Sequence, residues 1–384
     1  MKDYRNLKIK LVAEAVDFIG SIFFFGSRNK NIVKEQIKKI VLLKFDRLGD
    51  TFLSLPAVEA IKSVYSNSEL IVLCASWNRQ IFENNQSIDE LICLDEIPDV
   101  HGGSIFSFFK LGKIKKIANK LRELKPDLVL DLQGNPMNVL AMFFSGARIR
   151  VGFANKILSF LLTHSAGYEL AWHQSKDFLA LAEKIGYRGD RPWPKMIVSD
   201  KEKSVVQEIL EENYLTDFIV FHLSAGRSYR QWPIDSFIDL ANKIIDNTPD
   251  GLELVIIGVS GDKELSGEFT KGINDKKRII DLSGRMNIKE SYYFLSKAEC
   301  FIGNDSGPGH FAGALDVPTI TFMNAWTTIE RWLPLGRKVK VFYRKAHKCS
   351  GQFCHLIPCP NMSAITVEEA YKYFLSTYEN TSNK

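Results

Sequence analysis

Short apolar runs, each followed by a polar or glycine-bearing turn and then by an amphipathic stretch, recur along most of this chain. Runs at residues 39–45, 70–74, 91–94, 127–132 and 148–153 are rich in branched side chains and predict buried strands. Between them, residues 52–65, 77–84, 109–124, 137–145 and 177–186 predict helices. Residues 187–201 are rich in Gly, Pro, Arg and Asp and predict a linker. The alternation then restarts, with helices expected at 201–212, 234–246, 262–271 and 288–297 and strands at 218–223, 252–257 and 278–282. Repeated strand–helix alternation on both sides of a linker predicts an α/β chain of two domains, which 384 residues accommodate. Their expected limits are 37–190 and 201–345. An N-terminal extension, 1–36, precedes them. Past Trp332 the pattern fades into a loop and a final helix near 366–376, so 346–384 stands apart.

Residues 301–322, FIGNDSGPGHFAGALDVPTITF, read as strand, tight turn, short helix and strand. Asp305 or Ser306 would cap the helix, and Pro308 is tolerated in its first turn. Free N–H groups at a helix start suit an anion, and a phosphate is the natural guest. Asp305, Ser306 and His310 crowd the same end of an otherwise apolar unit. The run at 39–45 is likewise followed by a turn, Asp46-Arg47-Leu48-Gly49-Asp50-Thr51, and a helix. That is the opening of a Rossmann-like unit without the GxGxxG of dinucleotide binders.

With 45% hydrophobic and 25% charged residues, the composition excludes a disordered chain. A formal net charge of +5 suits a phosphorylated or acidic substrate or an anionic membrane surface, and is too small to argue for nucleic acid. Of six cysteines, Cys74, Cys93 and Cys300 lie in apolar runs and read as small core residues. Cys349, Cys354 and Cys359, with His347 and His355 nearby, lack the paired spacing of a zinc ribbon, so thiols without metal are the favoured reading. In the extension, Lys2, Arg5, Lys8 and Lys10 precede an apolar stretch, 11–25, that Glu14 and Asp17 interrupt. The stretch is too short to span a bilayer and has no clear cleavage site. Ile19, Ile22, Phe23, Phe24 and Phe25, flanked by Arg28 and Lys30, form a helical stripe. Residues 1–30 thus either lie on an anionic membrane face or pack on the protein or a partner subunit.

Three features carry candidate chemistry. Asp50, after a strand and before a helix, is placed either to take a proton from a hydroxyl or to cap the helix; Asp46 is the weaker candidate. Arg227 and Arg230, in the loop before Trp232-Pro233, offer guanidinium forks to a diphosphate. The motif Asp305-Ser306-Gly307 with His310 completes the set. Together with Leu48-Gly49-Asp50-Thr51, Leu55-Pro56-Ala57, residues 256–264 and residues 282–286, these motifs resemble glycosyltransferase family nine, the lipopolysaccharide heptosyltransferases, over roughly residues 39–377.

The resemblance implies a GT-B fold of two Rossmann-like domains facing an interdomain cleft, with a terminal helix crossing back to the first domain. It implies an inverting, metal-independent transfer of a sugar, heptose from ADP-heptose, onto a lipopolysaccharide core or related surface saccharide. No cofactor beyond the nucleotide-sugar donor is expected, and no DxD-type metal motif occupies a suitable loop. Asp50 would be the general base, with Thr51 beside it on the acceptor side. Arg230, where the family often has Lys, would neutralise the leaving diphosphate, with Arg227 beside it. Asp262 or Glu264 would reach the ribose, and Met286 would line the base or pack in the core. Asp305 would bond the donor sugar, Ser306 and Gly307 would offer backbone donors to phosphate, and His310 would orient that turn, touch phosphate or be structural. The expected place is the cytoplasm, at the inner face of the membrane beside a lipid-linked acceptor. A non-catalytic nucleotide-sugar-binding assembly or regulatory protein, or a transferase for another sugar, are the alternatives.

Overall fold

The computed structural model describes residues 7–23, 31–94, 111–154, 157–169, 171–248, 251–325, 328–347 and 356–382. The chain divides into two compact units, Met1–Pro194 and Lys195–Lys384, each built on a six-stranded parallel sheet.

In the first unit the strands are β1 (Lys39–Lys44), β2 (Glu69–Cys74), β3 (Glu90–Cys93), β4 (Leu128–Asp131), β5 (Ile149–Phe153) and β6 (His164–Ala166). Their order is β3-β2-β1-β4-β5-β6. Ile40 to Leu43 are wholly buried, because helices cover both faces of a parallel sheet and leave no reason for polar alternation. Helix Leu111–Leu124 shows the other period: Ile114, Ile117, Ala118 and Leu121 form its buried face. The order reverses between β1 and β4, and the crevice at the carboxyl ends of those strands is where such sheets hold ligands.

The second unit repeats the arrangement. Its strands are β7 (Asp217–His222), β8 (Leu252–Ile256), β9 (Ile279–Asp281), β10 (Cys300–Asn304), β11 (Thr319–Phe322) and β12 (Val339–Phe342), in the order β12-β11-β10-β7-β8-β9. Here the switch lies between β7 and β10. Helix Val367–Ser382 packs on Ile234–Asn247 and sends Ala370, Tyr371 and Phe374 into the core of this unit. This helix completes the hydrophobic core of the second unit.

Four elements depart from the pattern reading. β6 and β12 escape it because polar residues break their runs: β6 carries His164 and Ser165, and β12 carries an exposed Lys340 between its valines. The helix expected over 52–65 is two helices, Leu48–Phe52 and Leu55–Val64, the second with Pro56 in its first turn, where the missing N–H costs nothing. Residues 77–84 form a 3-10 turn, Ser76–Asn78, and a single helical turn, Arg79–Phe82.

The N-terminal helix Leu7–Phe23 docks on the first unit through its small and polar side. Gly20 is buried so tightly that a Cβ there would lie 2.4 Å from the Phe160 ring, and Asp17 Oδ1 accepts the Leu158 N–H at 2.8 Å. Val16, Phe18, Ile19, Ile22 and Phe23 are exposed, Phe23 at 81%. Phe24, Phe25, Arg28 and Lys30 lie outside the described residues.

Candidate donor and acceptor sites

At the switch point of the second unit, Asn304 ends β10 and ties it to the loop after β7. Its Oδ1 accepts the Trp232 N–H at 2.8 Å and its Nδ2 donates to the Leu223 carbonyl at 2.7 Å. Trp232 is buried, stacks on Phe322 at 3.9 Å, and donates its indole N–H to the Ile365 carbonyl at 3.0 Å. Gly303 is required where β10 passes β7, since a Cβ would fall 2.8 Å from the His222 carbonyl. The loop carrying the two arginines is thereby fixed at both ends. Arg230 Nη1 donates to Asp305 Oδ2 at 3.1 Å, the cation 21% and the carboxylate 11% exposed. Arg227 is exposed on the same loop.

Ser306 is the N-cap of helix Gly307–Ala314, but its side chain makes no capping bond. Its Oγ is buried with no hydrogen-bond partner among the described residues. Gly307 and Pro308 open the helix, and His310 is buried one turn in. A guanidinium, a carboxylate and a helix N-terminus therefore share one strand end.

Asp262 and Glu264 separate cleanly. Asp262 Oδ2 accepts from Ser224 Oγ at 3.0 Å and from the Val259 N–H at 2.9 Å, fastening the loop after β7 to the loop after β8. Glu264 sits exposed in the first turn of Lys263–Gly272 with no ion pair among the described residues. Beneath them, burial pushes His222 down to about 4, against the pull of Asp262, so the ring is neutral. Gly284, at φ 77°, closes the next turn over Ser260, whose Oγ a Cβ would approach to 2.5 Å. Met286 is half-buried beyond that turn and lies outside the hydrophobic core.

In the first unit, Arg47 is the N-cap of Leu48–Phe52, so Asp50 is a first-turn residue of this short helix, half-buried, rather than its cap. Thr51 is fully buried, its Oγ1 without a hydrogen-bond partner among the described residues. Asp46 is committed elsewhere. Its Oδ2 pairs with Lys44 Nζ at 3.2 Å, and its carbonyl accepts from Trp77 Nε1 at 3.1 Å and Asn78 Nδ2 at 2.8 Å. Lys44 is wholly buried, donates to the Leu132 carbonyl at 3.1 Å and sits 3.8 Å over the Phe178 ring. Asp131, at the end of the neighbouring β4, accepts the Gln133 and Asn135 N–H groups and Asn138 Nδ2, while burial raises it to about 6. Lys44 and Asp131 were not singled out from the sequence, although each is a charge inside an apolar strand run, which is a readable signal.

Cys359 is buried and accepts from Asn324 Nδ2 at 3.1 Å; Cys349, Cys354 and His355 lie outside the described residues.

Residues 114–359 match the sequence profile of glycosyltransferase family 9 (heptosyltransferase). Lipopolysaccharide heptosyltransferase 2 of Escherichia coli is 24% identical over 329 residues, covering 81% of this chain and 90% of its own. The fold is similar to that of E. coli ADP-heptose lps heptosyltransferase II, with a TM-score of 0.72, 20% identity, and coverage of 90% of this chain and 99% of that one. It is similar also to a family 9 glycosyl transferase from Veillonella parvula, with a TM-score of 0.73, 19% identity, and coverage of 91% and 100%. These are GT-B structures, which bears out both the α/β class expected from the repeated strand–helix pattern and the GT-B fold that the resemblance implied. On the family match over most of its length, this chain belongs to glycosyltransferase family 9, the heptosyltransferases, and is a glycosyltransferase.

Proposed function

We propose that the protein moves heptose from ADP-heptose onto a lipopolysaccharide core or related surface saccharide, by a single inverting displacement that uses no metal. The observation that carries this reading is the Arg230–Asp305 pair beside the start of helix Gly307–Ala314. A diphosphate brings two to three negative charges to that strand end. Arg230 supplies fork-shaped donors, each charged hydrogen bond contributing about 1.5–3 kcal/mol, and the helix start adds its dipole. Once the diphosphate engages Arg230, Asp305 turns to the sugar hydroxyls. Glu264, the uncommitted carboxylate, takes the ribose hydroxyls, and Met286 covers the base. Asp50 accepts the proton of the acceptor hydroxyl as its oxygen bonds the anomeric carbon. The bond to the diphosphate breaks on the opposite face, which inverts that carbon. The negative charge grows on the leaving diphosphate, where Arg230 and the 306–307 backbone are preorganised to receive it.

Calorimetric titration with ADP-heptose, ADP, UDP and GDP tests the donor. ADP-heptose is expected to bind tightest, with no change in excess chelator. Preference for UDP or GDP would discard the heptose donor, and a strict magnesium requirement would discard the metal-free account.

The acceptor class gives a use to the N-terminal helix. Its apolar arc points away from the unit it docks on, and the basic residues Lys2, Arg5, Lys8 and Lys10 adjoin it in sequence. No described helix is long and apolar enough to cross a membrane. The arrangement fits a helix lying flat on an anionic lipid surface, on the cytoplasmic face where lipid-linked acceptors are made. Phe18→Asp with Ile22→Asp changes exposed positions and is expected to abolish co-flotation with anionic vesicles. Undiminished flotation would remove this helix from membrane contact.

A further inference from the structure

Cys74 and Cys93 occupy the last paired position of parallel strands β2 and β3, and their Sγ atoms lie 3.8 Å apart. Neighbouring strands run ~4.8 Å apart, inside the ~4.4–6.8 Å range of Cα separations that a disulfide spans. Directly opposed residues of a parallel pair point to the same face, so closing the bond needs sulfur movement of about 1.8 Å and no rearrangement of the sheet. The two thiols differ in setting. Cys74 is fully buried, and burial holds its thiol protonated far above the usual range. Cys93 is half-buried, with the exposed guanidinium of Arg79 3.9 Å from its sulfur. An accessible sulfur beside a cation, with a second thiol in reach behind it, is the arrangement of an attacking and a resolving cysteine.

We propose that Cys74 and Cys93 form an oxidative modification site, a dithiol that a hydroperoxide converts to a disulfide. Cys93 sulfur, as thiolate, attacks one peroxide oxygen; the O–O bond breaks, leaving a sulfenic acid and hydroxide, which takes up a proton to become water. Cys74 sulfur then attacks the sulfenic sulfur, the S–O bond breaks, and the departing hydroxide leaves as water with the Cys74 proton. Two thiols and one hydrogen peroxide give one disulfide and two waters.

The site communicates with the proposed base through one turn of chain. Ala75 follows Cys74 directly and leads into Ser76–Asn78, whose Trp77 and Asn78 side chains hold the Asp46 carbonyl. Arg79 opens the single helical turn that packs on Leu48–Phe52, the helix carrying Asp50. Drawing Cys74 and Cys93 together moves the sulfur that Arg79 contacts and shifts both supports of that helix.

The test is peroxide treatment of the full-length protein, alkylation of remaining thiols, and peptide mapping alongside transfer assays. A Cys74–Cys93 linked peptide, two hydrogens lighter than its parts, is expected. Turnover should be lost in proportion to the linked fraction and restored by dithiothreitol. Cys93→Ser is expected to keep basal turnover and lose the peroxide response. Cys93 recovered as sulfinic acid with Cys74 still alkylatable would overturn the proposal, as would both thiols remaining intact. A linked pair that leaves turnover untouched would overturn its connection to Asp50.

Discussion

Asp50→Asn is expected to lower turnover by about 10²–10⁴-fold, the range a positioned general base supplies, while donor affinity stays at the wild-type value. The substitution keeps the side chain's size and removes only its basicity. The position argues for this separation of effects. Asp50 belongs to the first unit, on a short helix past the carboxyl end of β1, whereas the diphosphate groups proposed above belong to the second. The neighbouring carboxylate provides the contrast. Asp46 is buried against Lys44, and Asp46→Asn leaves that wholly buried ammonium without its counter-charge, a loss of about 3–5 kcal/mol. Thermal unfolding of the two variants should therefore differ. The Asp46 variant is expected to melt well below wild type, and the Asp50 variant close to it. Wild-type turnover in Asp50→Asn would remove Asp50 from the mechanism.

Arg230→Ala and Asp305→Asn are expected to move ADP binding in opposite directions. Removing the guanidinium takes away one or two charged hydrogen bonds at about 1.5–3 kcal/mol each and leaves the Asp305 carboxylate facing the diphosphate, so ADP should bind at least ~10-fold more weakly. Transfer should slow further, because the same charge meets the leaving group. Asp305→Asn instead releases Arg230 from its partner and takes a negative charge from the anion's path, so ADP should bind more tightly. The same variant loses the carboxylate proposed for the sugar hydroxyls, so its kcat/KM for the nucleotide sugar should fall. ADP affinities by calorimetry and transfer rates by product analysis give both signs. If Asp305→Asn weakens ADP as Arg230→Ala does, the pair does not compete with diphosphate for the arginine.

Much of the architecture was legible because buried parallel strands write themselves as apolar runs rich in branched side chains, and β1, β4 and β7 all do so. β6 and β12 were lost because polar residues interrupt them, His164 and Ser165 in one and Lys340 in the other, whereas the equally short edge strands β3 and β9 keep an apolar run. The Asp50 turn and the 304–310 turn were legible as motifs at strand ends. Their partners were not. Arg230 and Asp305 lie 75 residues apart, and only the adjacency of β7 and β10 brings them together. Asp262 and Glu264 were indistinguishable in sequence, since what separates them is a hydrogen bond from Ser224, 38 residues away. Cys74 and Cys93 looked like two isolated core residues until the register of β2 and β3 set them side by side.

The bond from Trp232 to the Ile365 carbonyl closes over 133 residues, and the same core takes in Cys359, Met362 and Phe374. On the ribosome this divides the life of the chain into two periods. The first unit has all its residues once Pro194 has emerged; the second waits for the last described helix. At a synthesis rate of about 5–20 residues per second, the interval is roughly 10–40 s. Through it, β7, β8 and β10 are present as apolar segments without their final cover, in a nascent chain whose first half is already folded. The wait falls on the half that carries Arg230 and Asp305, so a ribosome that stalls late leaves a folded first unit joined to an open second one.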